Sequence, residues 1–328
     1  MEERIADLNE KFEEGMTNVV SNPEQSFELG KVICEIAGEL KIEHSMAKGY
    51  LLQAYSGFFL GLHDKSFEYV NVALPIFIKC DDKKNQAAAY NTLGFIYNYF
   101  DDHSNRLDVN LQSLKIRKQI GDKDGFMRSL NNTGDAYLWL GKNTEALKYF
   151  KNCLAVTNTS DQRMLSVVHS NIADSYYRMN QYPKAIKALQ LSNKFANKIK
   201  FESILSCNIL ILSRIYNEQN EFKKSIELIT KFIENNKSYS SDDIVDVYKE
   251  LAIAYENLGV AQESLTALKT HYKLKDEILK EKQKKDLKTL TFRKTINQLE
   301  DKTKTLESLV SIRTNELKVA LESEKIIS

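Results

Sequence analysis

The sequence is poor in chain breakers: 328 residues contain three prolines and twelve glycines. That scarcity excludes a loop-rich β-protein and leaves a helical chain. The four cysteines (Cys34, Cys80, Cys153 and Cys207) stand far apart, with no C-x-x-C pair. They read as reduced, buried small hydrophobes and exclude a disulfide framework. No apolar run approaches the roughly 20 residues of a membrane span, and the start, MEERIADLNEKFEE, is too charged for a secretion signal. An excess of one charge is missing too. Lysine and arginine number 46 against 45 acidic residues, a formal charge of +1, so no general field draws the chain to nucleic acid or a membrane surface. The expectation is a cytoplasmic protein with neither as partner.

Catalytic signatures are also lacking. The histidines His44, His63, His103, His169 and His271 are isolated, without the helical spacing a metal pair needs. There is no phosphate-binding G-x-x-x-x-G-K-[ST] loop and no G-x-S-x-G elbow. Asp81-Asp82 and Asp101-Asp102 fall between predicted helices, where aspartate caps. The segment is expected to be no enzyme and to hold no cofactor and no metal.

What the sequence does have is a period. In NNTGDAYLWLGKNTEALKYF (131–150), Gly134 is followed by Tyr137, Ala146 and Phe150. At the same offsets stand Ala173, Tyr176, Ala185 and Leu189; then Ser213, Tyr216, Ser225 and Ile229; then Ala252, Tyr255, Ser264 and Leu268. Upstream come Gly94 with Tyr97, and Ala54. The first small residues, at 54, 94, 134, 173, 213 and 252, are spaced by 39 or 40. Each unit reads as two helices joined by a short break, with the small residue and the tyrosine on one face. Pro183 sits where the first turn of a helix tolerates proline. Gly134, costly in a helix by about 1 kcal/mol relative to alanine, is read as a contact glycine that lets two helix backbones meet.

These residues resemble the tetratricopeptide repeat family, best over 134–150 and with falling fidelity outward across about 1–270. The period exceeds the ~34 residues usual for that family, which implies longer helices. HEAT and armadillo arrays have periods nearer this one, but the internal offsets favour tetratricopeptide repeats. Two units depart from the pattern. Arg106 and Asn110 replace the small and large apolar residues after Gly94, and Gly57 replaces the tyrosine after Ala54. An N-terminal unit shows only as Ser26, forty residues before Ser66. The expected fold is all-α: a helical-hairpin solenoid of about six to seven repeats over 1–270, then a long C-terminal helix over 271–328.

In that last segment, from about 292, Phe292, Ile296, Leu299, Thr303, Leu306, Val310, Arg313, Leu317 and Ala320 alternate steps of four and three. That is a coiled-coil seam, and Phe292, Ile296, Leu299, Leu306, Val310 and Leu317 are its expected homodimer contacts. The competing reading is one more capping helix. KEKQKKDLK (280–288) interrupts both patterns, as a solvated face or as a phase shift between array and coiled coil. RTNELKVALESEK resembles the helical linker that precedes a diguanylate cyclase or histidine kinase output domain in many bacterial signalling proteins. The chain ends inside this pattern without a cap, which reads as a piece of a longer protein.

The resemblance implies a groove lined by first helices that binds a peptide or protein. Residues beside the small position are expected to line it: Asn91, Asn98, Asn131, Asp135, Trp139, Asn171, Asp174, Tyr177, Arg178, Arg214 and Asn217. Asparagine suits an extended backbone because it offers both a donor and an acceptor. The alternative for Asn131, Asn132 and Asn171 is bonding between repeats, and for Trp139 it is packing. Function is expected to be regulatory: a sensor dimerising an output domain, a diguanylate cyclase in the sharpest form. The rival is a peptide receptor like the quorum-sensing tetratricopeptide regulators, or a scaffold, with no enzyme attached. Residues 1–50 show none of the N-terminal helix-turn-helix or bundle usual in such regulators.

Overall fold

A computed structural model describes residues 2–235, 242–281, 283–284 and Arg313. The coiled-coil seam residues Phe292, Ile296, Leu299, Leu306, Val310 and Leu317 lie outside the described residues. The chain divides into two compact units, Met1–Leu279 and Lys280–Ser328. The first unit consists of helices joined by short connections, with no strand among the described residues. They are α1 (Glu2–Asn18), α2 (Pro23–Glu39), α3 (Glu43–Phe59), α4 (His63–Lys79), α5 (Lys83–Tyr99), α6 (His103–Gln119), α7 (Lys123–Trp139), α8 (Asn143–Val156), α9 (Gln162–Arg178), α10 (Tyr182–Lys198), α11 (Glu202–Glu218), α12 (Phe222–Asn235) and α13 (Asp242–Asn257), then α14 (261–281). No described helix is long and apolar enough to cross a membrane.

The period follows from two numbers. Most helices have 17 residues, and most connections have three, so a hairpin takes forty. The connections share one geometry. The middle residue has a positive φ (Lys41, Gly61, Asp81, Asp101, Gly121, Gly141, Asn180, Lys200, Asn220 and Gly259). The residue after it donates its N–H to the carbonyl five back, as in Leu62 to Gly57 and Glu221 to Tyr216, both 2.8 Å. This is the Schellman closure of a helix end. It assigns different jobs to the paired aspartates. Asp81 and Asp101 turn the chain, while Asp82 and Asp102 cap the next helix by accepting from the N–H of Asn85 (3.0 Å) and Asn105 (3.1 Å). Pro183 stands in the first turn of α10 as expected.

Among the described residues the hairpins number seven. The N-terminal one, faint in sequence, is α1–α2, and its small residue is Gly15, 39 residues before Ala54. The second-helix small residues are buried throughout: Ser26, Ser66, Ala146, Ala185, Ser225 and Ser264, with Arg106 as the exception in kind. Three of these serines donate to the carbonyl of the first small residue: Ser26 to Gly15 (2.9 Å), Ser225 to Ser213 (3.5 Å) and Ser264 to Ala252 (3.0 Å). The missing tyrosine at Gly57 is explained by its neighbours, because a Cβ there would stand 2.8 Å from Ser66 Oγ and 3.4 Å from the Phe27 ring. Cysteine departs from expectation: Cys153 is buried, Cys34 and Cys207 are partly so, and Cys80 is exposed at the end of α4.

Gly134 requires a correction. A Cβ on it would lie 2.6 Å from Phe150 Cε1, so the glycine makes room for a fully buried ring and not for a backbone. Backbones do meet between α2 and α3, where a Cβ on Gly49 would stand 2.7 Å from the Gly30 carbonyl oxygen.

First helices of successive hairpins touch (α1 with α3, α3 with α5, α7 with α9, α9 with α11, α11 with α13), α5 and α7 excepted, and no comparable contact joins the second helices from α2 to α12. The first helices therefore line the tighter, inner side. The apolar core is divided. The two largest clusters run from Leu8 to Ile96 and from Met127 to Ile215, with α6 and its buried Arg106 and Asn110 between them, and smaller clusters follow around Val247 and Phe232 in the last hairpins.

The glycine contacts yield a paired prediction. Gly134→Ala should lower the melting temperature despite alanine's helix preference, because overpacking against Phe150 costs about 1–3 kcal/mol. Gly38→Ala, where a Cβ meets nothing within 4 Å, should gain about 0.5–1 kcal/mol. Thermal unfolding followed by circular dichroism checks both.

Candidate functional site

The inner face changes character along the array. Relative to the first small residue, the next position holds Tyr55 and Phe95 in the second and third hairpins, then Asp135, Asp174 and Arg214. Five positions on stand Phe59, Tyr99 and Trp139, then Arg178 and Glu218. Phe59, Tyr99 and Trp139 recur every forty residues and are 42%, 52% and 55% exposed. Tyr55 stacks on Phe95 with ring centroids 6.0 Å apart, and Phe58 packs against Phe95 at 5.8 Å. The histidine opening each of these second helices reaches the next hairpin: His63 stacks on Tyr99 (3.5 Å) and His103 on Trp139 (5.3 Å). Sequence reasoning found Trp139 alone of these aromatics. The signal for the others was the same forty-residue step read at +1 and +5.

The polar half is a set of bonds between hairpins. Asn171 Nδ2 donates to Asn131 Oδ1 (3.0 Å), and Asn132 Nδ2 to Asn91 Oδ1 (3.1 Å). Asn110 Nδ2 donates to the Asn132 carbonyl (3.1 Å), and Arg106 is ion-paired with Asp135. Asn98 is exposed and makes no side-chain hydrogen bond to the described residues. Asp174 pairs with Arg178 (3.1 Å). Burial raises the Asp174 carboxyl, with Arg178 opposing. The Arg178 guanidinium also lies 5.9 Å from the Trp139 ring centroid, which ties the aromatic stripe to the charged half.

Further along, Arg214 bonds Glu250 (3.3 Å) and Asp246 (3.2 Å). Asn217 Nδ2 donates to the Glu250 carbonyl (3.0 Å) and carboxylate (2.9 Å). Glu218 accepts from the phenols of Tyr177 (2.7 Å) and Tyr182 (2.6 Å). Burial, then Glu218, pushes the Tyr177 phenol well up, and the bond to Glu218 raises Tyr182. Tyr177, Arg214 and Asn217, expected to share a face, meet at one cavity of about 350 Å³, joined by Glu218, Asn220, Phe222, Glu250, Ile253 and Asn257. Glu218, Glu250 and Phe222 were missed in sequence, because each looks like an ordinary surface residue until its hairpin neighbour is in place.

Residues 126–194 match the sequence profile described as tetratricopeptide repeat. Over the rest of the array the likeness to tetratricopeptide repeats is one of fold, carried by the same helical hairpins. No curated protein matches it. Its fold is similar to the apo form of RapI (15% identity, TM-score 0.63), covering 84% of this chain and 99% of that one. A Pyrococcus horikoshii signal transduction ATPase with numerous domains, carrying a tetratricopeptide repeat sensor, aligns at 19% identity and TM-score 0.68. That match covers 83% of this chain and 43% of the ATPase. A Rap protein complexed with competence and sporulation factor aligns at 17% identity and TM-score 0.56, over 82% and 75% of the two chains. At these identities the likeness is one of fold.

Arg106 occupies the place that alanine or serine holds in the other repeats, so it offers a test. Removing one member of a largely buried pair strands the other. Asp135→Ala should cost about 2 kcal/mol, and adding Arg106→Ala should recover part of that loss. Denaturant titration of the two variants decides. A double variant less stable than Asp135→Ala would contradict the pairing.

Proposed function

We propose that the chain is a regulatory binding module whose inner face takes an extended peptide or protein segment. The observation that carries this reading is the exposed stripe Phe59–Tyr99–Trp139. Three large exposed aromatics recur at one position of three consecutive hairpins, where scattered exposed residues would be unremarkable. Aromatic side chains dominate the energetics of protein interfaces. Asn98 and the remaining amide donor of Asn131 flank the track and can bond a ligand backbone. The asparagine pairs Asn131–Asn171 and Asn91–Asn132 hold neighbouring hairpins in register.

This reading has two forms, which differ in the role of the segment C-terminal to the array. In the finer form the segment from about 292 is a coiled coil that dimerises a C-terminal output domain, a diguanylate cyclase in its sharpest version. The similar array of the ATPase makes up 43% of its chain, so an array of this fold does occur joined to further sequence. In the alternative the array acts as a peptide receptor without enzymatic output, which the likeness to a Rap protein complexed with competence and sporulation factor supports.

Selection from a random peptide display library should return ligands rich in apolar residues. Tyr99→Ala with Trp139→Ala should weaken them by about tenfold or more, since interface aromatics carry about 1–2 kcal/mol or more each. Selected ligands indifferent to both substitutions would overturn the site. Light scattering tests the dimer: the wild type should run at twice the chain mass and Leu306→Lys/Val310→Lys at one. A monomeric wild type at high micromolar concentration would remove the coiled-coil form.

A further inference from the structure

We propose that the cavity between α9, α11 and α13 receives a cationic side chain, lysine or arginine, of the bound peptide. The proposal rests on the peptide-binding reading and assigns one end of its ligand. Glu218 sets the chemistry of the cavity. Its two carboxylate oxygens accept from Tyr177 and Tyr182 at 2.7 and 2.6 Å, so the group is held in place by neutral donors. No cation among the described residues lies within ion-pair distance of it. The other carboxylates nearby, Glu250 and Asp246, share the single guanidinium of Arg214. With Arg214 as the one cation among these groups and Glu218 unpaired by it, the cavity is net negative, and a cation is its complement.

Its walls fit the same ligand. Tyr177 and Phe222 line the space with aromatic surface, on which a guanidinium or ammonium is attracted to the ring face. Asn217, also a lining residue and 8% exposed, has an Oδ1 with no partner among the described residues, because its amide nitrogen is spent on Glu250. The two bonds to Glu250 hold the Asn217 amide as a fixed part of the wall, with its Oδ1 shut off from solvent. About 350 Å³ holds a single long side chain and not a folded domain. The position also matches the track, since Arg178 links the Trp139 ring to the hairpin that carries Tyr177. An extended ligand lying on Tyr99 and Trp139 would pass Arg178 and reach Glu218 two hairpins further on.

The test uses the full chain and defined probes. Acetyl-Gly-Arg-Gly-amide and the same peptide with neutral citrulline are titrated separately, and amide shifts of residues 177, 217 and 218 are followed by nuclear magnetic resonance. The arginine peptide should bind at least tenfold more tightly than the citrulline peptide, and Glu218→Gln should remove that difference while leaving the spectrum of the fold intact. Equal binding of the two peptides, or arginine binding unchanged in Glu218→Gln, would overturn the proposal. Failure here is separable from failure of the binding module. Display ligands that depend on Tyr99 and Trp139 but carry no basic residue would leave the module standing without this cavity. A library that returns no ligand would remove the module, while the arginine titration still decides the cavity.

Discussion

A pair of helices cannot bury its apolar face alone, so every hairpin here depends on its neighbours for a core. That dependence requires each hairpin to present its face at the same angle and height as the last. The left-handed turn supplies this constraint. Ten connections reverse the chain in three residues through the same closure, so consecutive helices start at the same place in the stack. Six of those turns use lysine, aspartate or asparagine at positive φ, a conformation that costs non-glycine residues about 1 kcal/mol or more. The array accepts that cost because packing between hairpins returns it.

Uniform turns leave the packing surfaces free to vary. Where small residues face rings or aliphatic side chains, as Gly134 faces Phe150, the core is dry and continuous. Around α6 the small residue is replaced by Arg106 and the apolar residue by Asn110, and the core divides. The gap is filled by polar bonds with definite partners: Arg106 with Asp135, Asn110 with the Asn132 carbonyl, and Ser113 with the Ala87 carbonyl at 3.0 Å. Such groups specify one arrangement because any slip would leave a buried charge or amide unpaired. The departures from the repeat pattern at 106 and 110 are thus the sequence trace of a joint between two halves.

The fold was legible because it repeats. A small residue recurring every 39 or 40 positions survives any local ambiguity, and six hairpins followed from it. The seventh was obscured because Gly15 lies in a charged helix whose neighbours carry none of the tyrosine or phenylalanine markers. The site was legible only in part. Eleven positions chosen for their place beside the small residue proved to be a mixture. Asn131 and Asn171 bond each other, Asp135 closes the joint, and Tyr177, Arg214 and Asn217 share a cavity. Partner identity depends on which side chain the adjoining hairpin brings alongside, and a period alone does not rank those pairs. The aromatic stripe was missed for the opposite reason: phenylalanine and tyrosine at regular spacing read first as core, and only exposure distinguishes Phe59 and Tyr99 from Phe77 and Phe150.

The joint and the inner face meet at one residue. Asp135 belongs to the first-helix surface, beside Trp139, yet its carboxylate is bound to Arg106 from the preceding hairpin. A ligand on Tyr99 and Trp139 therefore lies across the boundary between the two cores, with Tyr99 in the hairpin of Arg106 and Trp139 in the hairpin of Asp135. Its binding energy adds to the ion pair in favouring one arrangement of the two halves. Any ligand whose contacts prefer that arrangement shifts the equilibrium by its differential affinity and no more. The proposed track thus crosses the polar joint, and a ligand on it would brace the contact that Arg106 and Asp135 make between adjoining hairpins.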